Sequence, residues 1–270
     1  MATLPWPEAA AFPIGDARPD GFVVAPGGRR AVYVTPDLVV CVDGRGEVWR
    51  FEIAPPAKPR PGARAGCAYS LDGATVWVYM PDAMARDAGP DRWLALDGAT
   101  GRLIDAAALP TVGQGARHFA HPDAVHLLLD VGEGQDGCCT YRARIDDGRI
   151  ELHEYPWTDR SLVAIAPDGR HFMTVDHGQA DAAFHTYPDG DVVARVAVEA
   201  LGHDPDEAFV EWIGGYLDVG TAVVTVAGET EDEEEWLQRY LVNPHTGAVL
   251  GRFESPSEDV SDPRAPGGGA

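Results

Sequence analysis

Two stretches of the chain carry side chains suited to chemistry, and they match each other. Asp130-Val131-Gly132-Glu133-Gly134-Gln135-Asp136 and Asp176-His177-Gly178-Gln179-Ala180-Asp181 each open with Asp, contain Gly and Gln, and end on a second Asp. A Thr-Tyr pair follows each, as Thr140-Tyr141 and Thr186-Tyr187. Carboxylates, an amide oxygen and a glycine-permitted bend can wrap a divalent cation such as Ca²⁺, which takes roughly six to eight oxygen ligands. The spacing is not that of an EF-hand loop. Two other uses compete: Asp side chains closing their own turns onto backbone amides, and a carboxylate surface recognising a basic ligand directly.

Histidine offers a second chemistry. His118 and His121 flank Phe119-Ala120, while His177 and His203 fall in connecting segments. With Asp130 and Asp176 they would suit Zn²⁺ or another first-row ion, and an activated water there would serve a metal-assisted lyase or hydrolase. Nine histidines spread through a chain also read simply as surface or hydrogen-bonded core residues; His126, His153, His171, His185 and His245 receive no role. No Gly-x-Ser-x-Gly elbow, phosphate-binding glycine loop, His-Glu-x-x-His or dinucleotide fingerprint is present. Paired carboxylates carry no signal, because among 43 acids some pair always falls at a glycosidase spacing.

These residues must be positioned by short strands. Residues 162–198 divide into four apolar runs separated by Ala166-Pro167-Asp168-Gly169, the loop at 177–180, and Pro188-Asp189-Gly190. Pro at the second turn position and Gly at the fourth make this one antiparallel meander. The first turn recurs as Ala25-Pro26-Gly27-Gly28, Ser70-Leu71-Asp72-Gly73, His121-Pro122-Asp123-Ala124 and, more weakly, Tyr216-Leu217-Asp218-Val219. The second recurs at 43–46, 97–101, 146–148 and 243–247. A repeat of this length with four strands per unit is the signature of radially stacked blades. An all-β propeller of five four-stranded blades is expected, with a sixth built from residues 1–21 and the linkers as the alternative.

Arg92-Trp93-Leu94-Ala95-Leu96-Asp97-Gly98-Ala99-Thr100-Gly101 and Leu241-Val242-Asn243-Pro244-His245-Thr246-Gly247 carry a strand, Asp/Asn, Thr-Gly pattern. In this the chain resembles the WD40-like and quinoprotein-like β-propeller superfamily over about residues 22–254. It departs from true WD40 repeats in lacking their Gly-His and Trp-Asp pair, and nothing marks a quinone site. The resemblance implies fold; propellers host binding and catalysis alike.

The domains are therefore an N-terminal segment (1–21), the propeller (22–254) and a Pro, Gly and acid tail (255–270) expected to be disordered. Hydrophobic residues make up 45% of the chain and charged residues 24%, enough to bury roughly three quarters of the unfolded surface in one domain. A formal charge of −22 argues against nucleic acid and membrane partners. The start of the sequence has no signal-peptide pattern, so a cytoplasmic monomer is expected. Cys41, Cys67, Cys138 and Cys139 fit neither a zinc spacing nor a disulfide framework. Lys58, Arg60 and Arg64 form the one concentrated basic stretch.

Meander geometry sorts the loops. The tight first and third turns of every blade share one face of the disc; the variable middle connections share the other. That second face collects 80–91 with Asp82, 131–137, 177–180 and 228–235, and should be strongly acidic. The expected function is a non-enzymatic binding or interaction module presenting this face to a basic protein or cationic small molecule. The candidate ligand-binding residues are Asp82, His118, Asp130, Glu133, Asp136, Asp176, His177, Asp181 and His203. No cofactor is evident, although Asp130, Asp176 and His177 could hold a divalent cation.

Overall fold

The computed structural model describes residues 11–53, 62–86, 89–157, 159–229 and 235–253. The acid run at 230–234, the tail from 255, Lys58, Arg60 and Asp87 lie outside the described residues. Five four-stranded sheets follow one another, each a meander whose spatial order is its sequence order. Blade one is β1 (Gly21–Val24), β2 (Arg30–Val34), β3 (Leu38–Asp43) and β4 (Gly46–Glu52). Blade two is β5 (Gly66–Tyr69), β6 (Thr75–Met80), β7 (Asp91–Asp97) and β8 (Leu103–Leu109), with the short helix α1 (Asp82–Arg86) in its middle connection. Blade three is β9 (Gly115–Ala120), β10 (Leu127–Gly132), β11 (Cys138–Asp146) and β12 (Arg149–Glu154). Blade four is β13 (Arg160–Ile165), β14 (His171–Asp176), β15 (Asp181–Thr186) and β16 (Val192–Ala197). Blade five is β17 (Ala208–Asp218), β18 (Thr221–Glu229), β19 (Glu235–Val242) and β20 (Val249–Arg252).

The five-bladed all-β expectation is met, and the described residues form no sixth sheet. Among them, no helix is long and apolar enough to cross a membrane. The described residues before β1, 11–20, form no strand. Phe12 packs on Ala31, Val40 and Val42 of blade one, and the Asp20 amide donates to Val34 O at 2.8 Å.

In blades two to four the second and third strands are apolar on both sides because each of these blades is sandwiched. β6 reads Thr-Val-Trp-Val-Tyr-Met and buries five of its six residues. Val76 and Val78 join the core shared with blade one, while Trp77 and Tyr79 join that shared with blade three. Period-two alternation thus sends one strand's side chains into two different cores. Leu128, Tyr155, Leu162 and Phe172 join blades three and four, and a larger cluster around Phe184, Val210 and Tyr240 joins four and five. No apolar cluster among the described residues joins blade five to blade one.

Two buried polar side chains inside these junctions, Asp91 and His185, are closely bonded. Asp91, fully buried, accepts from Tyr79 Oη (2.7 Å), Thr111 Oγ1 (2.9 Å), Gly113 N (2.7 Å) and Ala83 N (3.0 Å). Gly113 permits the approach, since a Cβ there would lie 2.1 Å from the Tyr79 hydroxyl. His185, 1% exposed, donates from Nδ1 to Gly190 O (2.9 Å), accepts at Nε2 from Thr174 (2.8 Å), and stacks on Phe172. Burial pulls its pKa down to about 4, so it is held neutral.

Two consequences follow. Asp91→Ala strands several buried donors and should cost about 3 kcal/mol or more in urea unfolding; a loss under about 1 kcal/mol would show that the network is dispensable. His185 has a folded pKa below its unfolded value of about 6.5, so its contribution is complete above that pH and is lost as pH falls toward 4. The term is on the order of 3 kcal/mol. His185→Gln should flatten the fall of unfolding free energy between pH 6.5 and 4 relative to wild type; parallel curves would contradict the assignment.

Candidate functional site

Antiparallel pairing places the β10–β11 and β14–β15 connections and the starts of β9, β13 and β17 on one face of the disc. A cleft of about 390 Å³ opens there between blades three, four and five. Arg117 and Asp130 line it beside Cys138, Ser161, His177 and Trp212, and Gly115, Gly132, Gly134 and Gly137 keep its walls free of side chains.

Trp212 reaches the cleft because β17 is bulged. Val210 pairs with Val226 and Gly214 with Val224, so three residues, Glu211, Trp212 and Ile213, stand opposite Thr225 alone. Two extra residues in an innermost strand must leave the ladder. Trp212 is 37% and Ile213 57% exposed as a result. The Trp212 indole donates to Asp176 O at 3.4 Å and its ring stacks on His177 at 6.1 Å. Gly214 closes the bulge, since a Cβ there would meet Val223 O at 2.6 Å.

The acids expected to form a ligand surface divide into two groups. Asp130 is 5% exposed: Oδ1 accepts from Leu162 N (3.0 Å) and Thr140 Oγ1 (3.4 Å), and Oδ2 faces Arg117 Nη2 at 3.0 Å. Arg117 donates onward to Leu162 O at 2.8 Å, so the pair stitches blade three to blade four. Burial raises the Asp130 carboxyl above its ordinary range, against the pull of Arg117 and these bonds. Asp181 binds Arg160 (2.5 Å) and Arg195 (3.2 Å); Asp176 faces Arg160 at 3.8 Å and accepts Ala180 N at 3.5 Å, a turn bond. Glu133 accepts Val112 N at 2.7 Å, and buried Asp82 is bonded to Arg92. Asp136, in a 3₁₀ turn (Gly134–Asp136), is the one exposed member of the set.

The histidines separate likewise. His118 accepts the Trp93 indole N–H at 3.2 Å in the junction of blades two and three, and burial pulls its pKa down to about 3. His203 binds the Tyr240 hydroxyl at 2.6 Å and stacks on Trp236 in blade five; burial, then Arg252, lowers its pKa. Only Asp130 and His177 of the supposed metal constellation line the cleft. His118, Asp130, Asp176, His177 and His203 therefore do not form the expected channel-mouth ligand set, because most are already committed to junction or turn bonds. Among the described residues, the group of three whose ligand atoms converge is His121, Asp123 and His126, on the opposite face.

At the cleft floor the Ser161 hydroxyl donates to Cys138 Sγ at 3.3 Å, and burial pushes that thiol up to about 11, so it stays protonated at neutral pH. Cys138 and Cys139 are adjacent in β11 and so face opposite sides of it: Cys139 enters the core with blade two while Cys138 faces Ser161 of blade four. Sequence reasoning missed Arg117 and Trp212. The signal for Trp212 was Gly214-Gly215 inside an apolar strand, which marks a bulge.

No family model matches the chain, and no curated protein matches it. Solved structures do. The chain is similar to hydrazine synthase of Kuenenia stuttgartiensis at 15% identity and a TM-score of 0.56, covering 83% of this chain and 62% of that one. It is similar to the Myceliophteria thermophila Cps50 (Swd1) β-propeller domain at 9% identity and TM-score 0.54, over 93% and 90% of the two chains. The Dos1 propeller gives 11% identity and TM-score 0.57, over 93% and 63%. The chain thus spans just under two thirds of the hydrazine synthase and Dos1 chains. At these identities the likeness establishes the fold: this is a β-propeller.

Proposed function

We propose that the chain is a binding module whose loop-bearing face seats a basic protein segment or cationic small molecule at the cleft beside Trp212. The observation that carries the reading is the bulge in β17, which expels an indole and an isoleucine from the innermost strand at the cleft. Packing alone gives no reason to leave two large apolar side chains there in water, whereas a binding surface needs them. The surrounding charge selects the partner. Exposed Asp136, Asp159, Asp204, Asp206 and Glu207 lie in the connections of this face, in a chain of net charge −22. Arg117, the cation in the cleft, is already paired with Asp130. An arginine or lysine entering past the acidic rim could place its charge over the Trp212 ring, worth ~1 kcal/mol.

Two measurements test this. Asp130→Ala should destabilise the fold by about 2 kcal/mol through lost junction bonds, while Asp136→Asn should stay within ~0.5 kcal/mol; the reverse order would show that the two groups of acids were misassigned. For binding, fluorescence anisotropy of a labelled hexa-arginine peptide should show saturable association that weakens with salt. Trp212→Ala should weaken it about fivefold, and the Asp136→Asn, Asp159→Asn double variant should flatten the salt dependence. Absence of binding, or affinities indifferent to all three changes, would defeat the reading.

A further inference from the structure

The tight-turn face should be inert by the same argument, yet among the described residues it holds the group of three whose ligand atoms converge. His121 follows β9, Asp123 sits in the turn after it and His126 precedes β10, an H-x-D-x-x-H spacing. From this cluster we propose that His121, Asp123 and His126 bind a first-row divalent metal ion, Zn²⁺ by their chemistry, at the junction of blades three and four.

His121 is 4% exposed. Its Nε2 lies 2.8 Å from Gly169 O. A carbonyl can only accept, so Nε2 carries the proton and Nδ1 of the neutral ring presents its lone pair. Asp123 Oδ2 lies 3.0 Å from that nitrogen. A carboxylate oxygen and an unprotonated ring nitrogen this close repel each other, and a metal ion bound by both, or a proton, relieves the repulsion. An N–H held by a backbone carbonyl, leaving the other nitrogen free, is the outer-shell arrangement that orients metal-binding imidazoles.

The ring is fixed on its other sides as well. It lies on Tyr187 at 3.9 Å and 23°, and Gly169 is the residue that fits beneath it, since a Cβ there would be 2.7 Å from the imidazole. Asp123 is equally constrained: Oδ1 accepts both Val125 N and His126 N at 2.9 Å, which leaves Oδ2 as the oxygen aimed at the two rings. His126 Nδ1 is 2.7 Å from that oxygen. The long Asp123 N–H contact to His121 Nδ1, at 3.3 Å, is the one competing bond on the lone pair.

One ligand atom from each residue lies within 4.8 Å of the others. An ion with bonds of about 2.0–2.2 Å holds its donors roughly 3.3 Å apart, which a small swing of the partly exposed His126 provides. Two nitrogens and one oxygen select against Ca²⁺ and Mg²⁺, which want oxygen alone. Three protein ligands leave a fourth position for water. His126 also borders a cleft of about 340 Å³ lined by Arg142, His153 and Tyr187, through which ion and water would enter. The site stands on a different face from the Trp212 cleft and does not depend on it.

The test is Co²⁺ titration of tag-free, chelator-stripped protein, followed by the visible d–d bands, with Zn²⁺ as competitor. Wild type should bind one Co²⁺ per chain with a low-coordinate spectrum that Zn²⁺ abolishes. Asp123→Asn keeps an oxygen for the two turn amides and loses the charge; His126→Gln alters a partly exposed ring. Each should weaken binding more than about a hundredfold, beyond the cost of losing an outer-shell partner. His153→Gln, beside the same cleft but outside the triad, should bind as wild type does. Thermal melts of stripped protein confirm folding, and if Asp123→Asn does not fold, His126→Gln decides alone. No uptake by folded wild type, or equal affinity in wild type and His126→Gln, would overturn the proposal and leave the cluster an imidazolium–carboxylate turn clasp.

Discussion

A four-stranded sheet of such short strands has two apolar faces and cannot bury both by itself. Blades two, three and four each give both faces to a neighbour, and the rest of the structure depends on that requirement. It explains why Val78 and Tyr79, adjacent in β6, belong to different cores. It also explains why the buried polar groups cluster between blades. Wherever two sheets meet, backbone at strand starts and loop ends is cut off from water, and each such group needs a partner. Asp130 supplies one for the Leu162 amide across the junction of blades three and four, and Asp91 supplies one for Gly113 on the way from blade two to blade three.

That requirement also divides the two faces of the disc. On one, the turns are short and mutually braced: His121 reaches Gly169 of the next blade, and Trp49 of blade one donates to Gly98 of blade two at 3.2 Å. On the other, the middle connections are longer, glycines line an open cleft, and β17 carries residues that its ladder does not use. A binding surface is easier to build where the backbone has length to spare.

The fold was legible in the sequence because its markers are local. Pro-Asp-Gly turns and β-branched runs report on a handful of neighbouring residues, and their recurrence gave five units, the number of four-stranded sheets observed. The site was legible in part. The Asp130 and Asp176 loops do lie on one face, but sequence similarity could not tell a carboxylate turned to solvent from one turned into a junction. That depends on Arg117, Leu162 and Arg160, which come from other strands or the next blade. His126 was passed over for the same reason in reverse. Its nearness to His121 depends on a turn geometry, with Ala124 at φ 58°, that composition alone did not reveal.

Junction bonds such as that of Asp130 to the Leu162 amide couple neighbouring blades rather than merely closing a loop within one. Amide hydrogen exchange on wild type and Asp130→Ala measures this directly. If the account is right, the Leu162 amide exchanges slowly in wild type, and the substitution speeds exchange in β10 and in β13 and β14 together, by similar factors. Loss of protection confined to β10 and its loop, with blade four exchanging as in wild type, would contradict it.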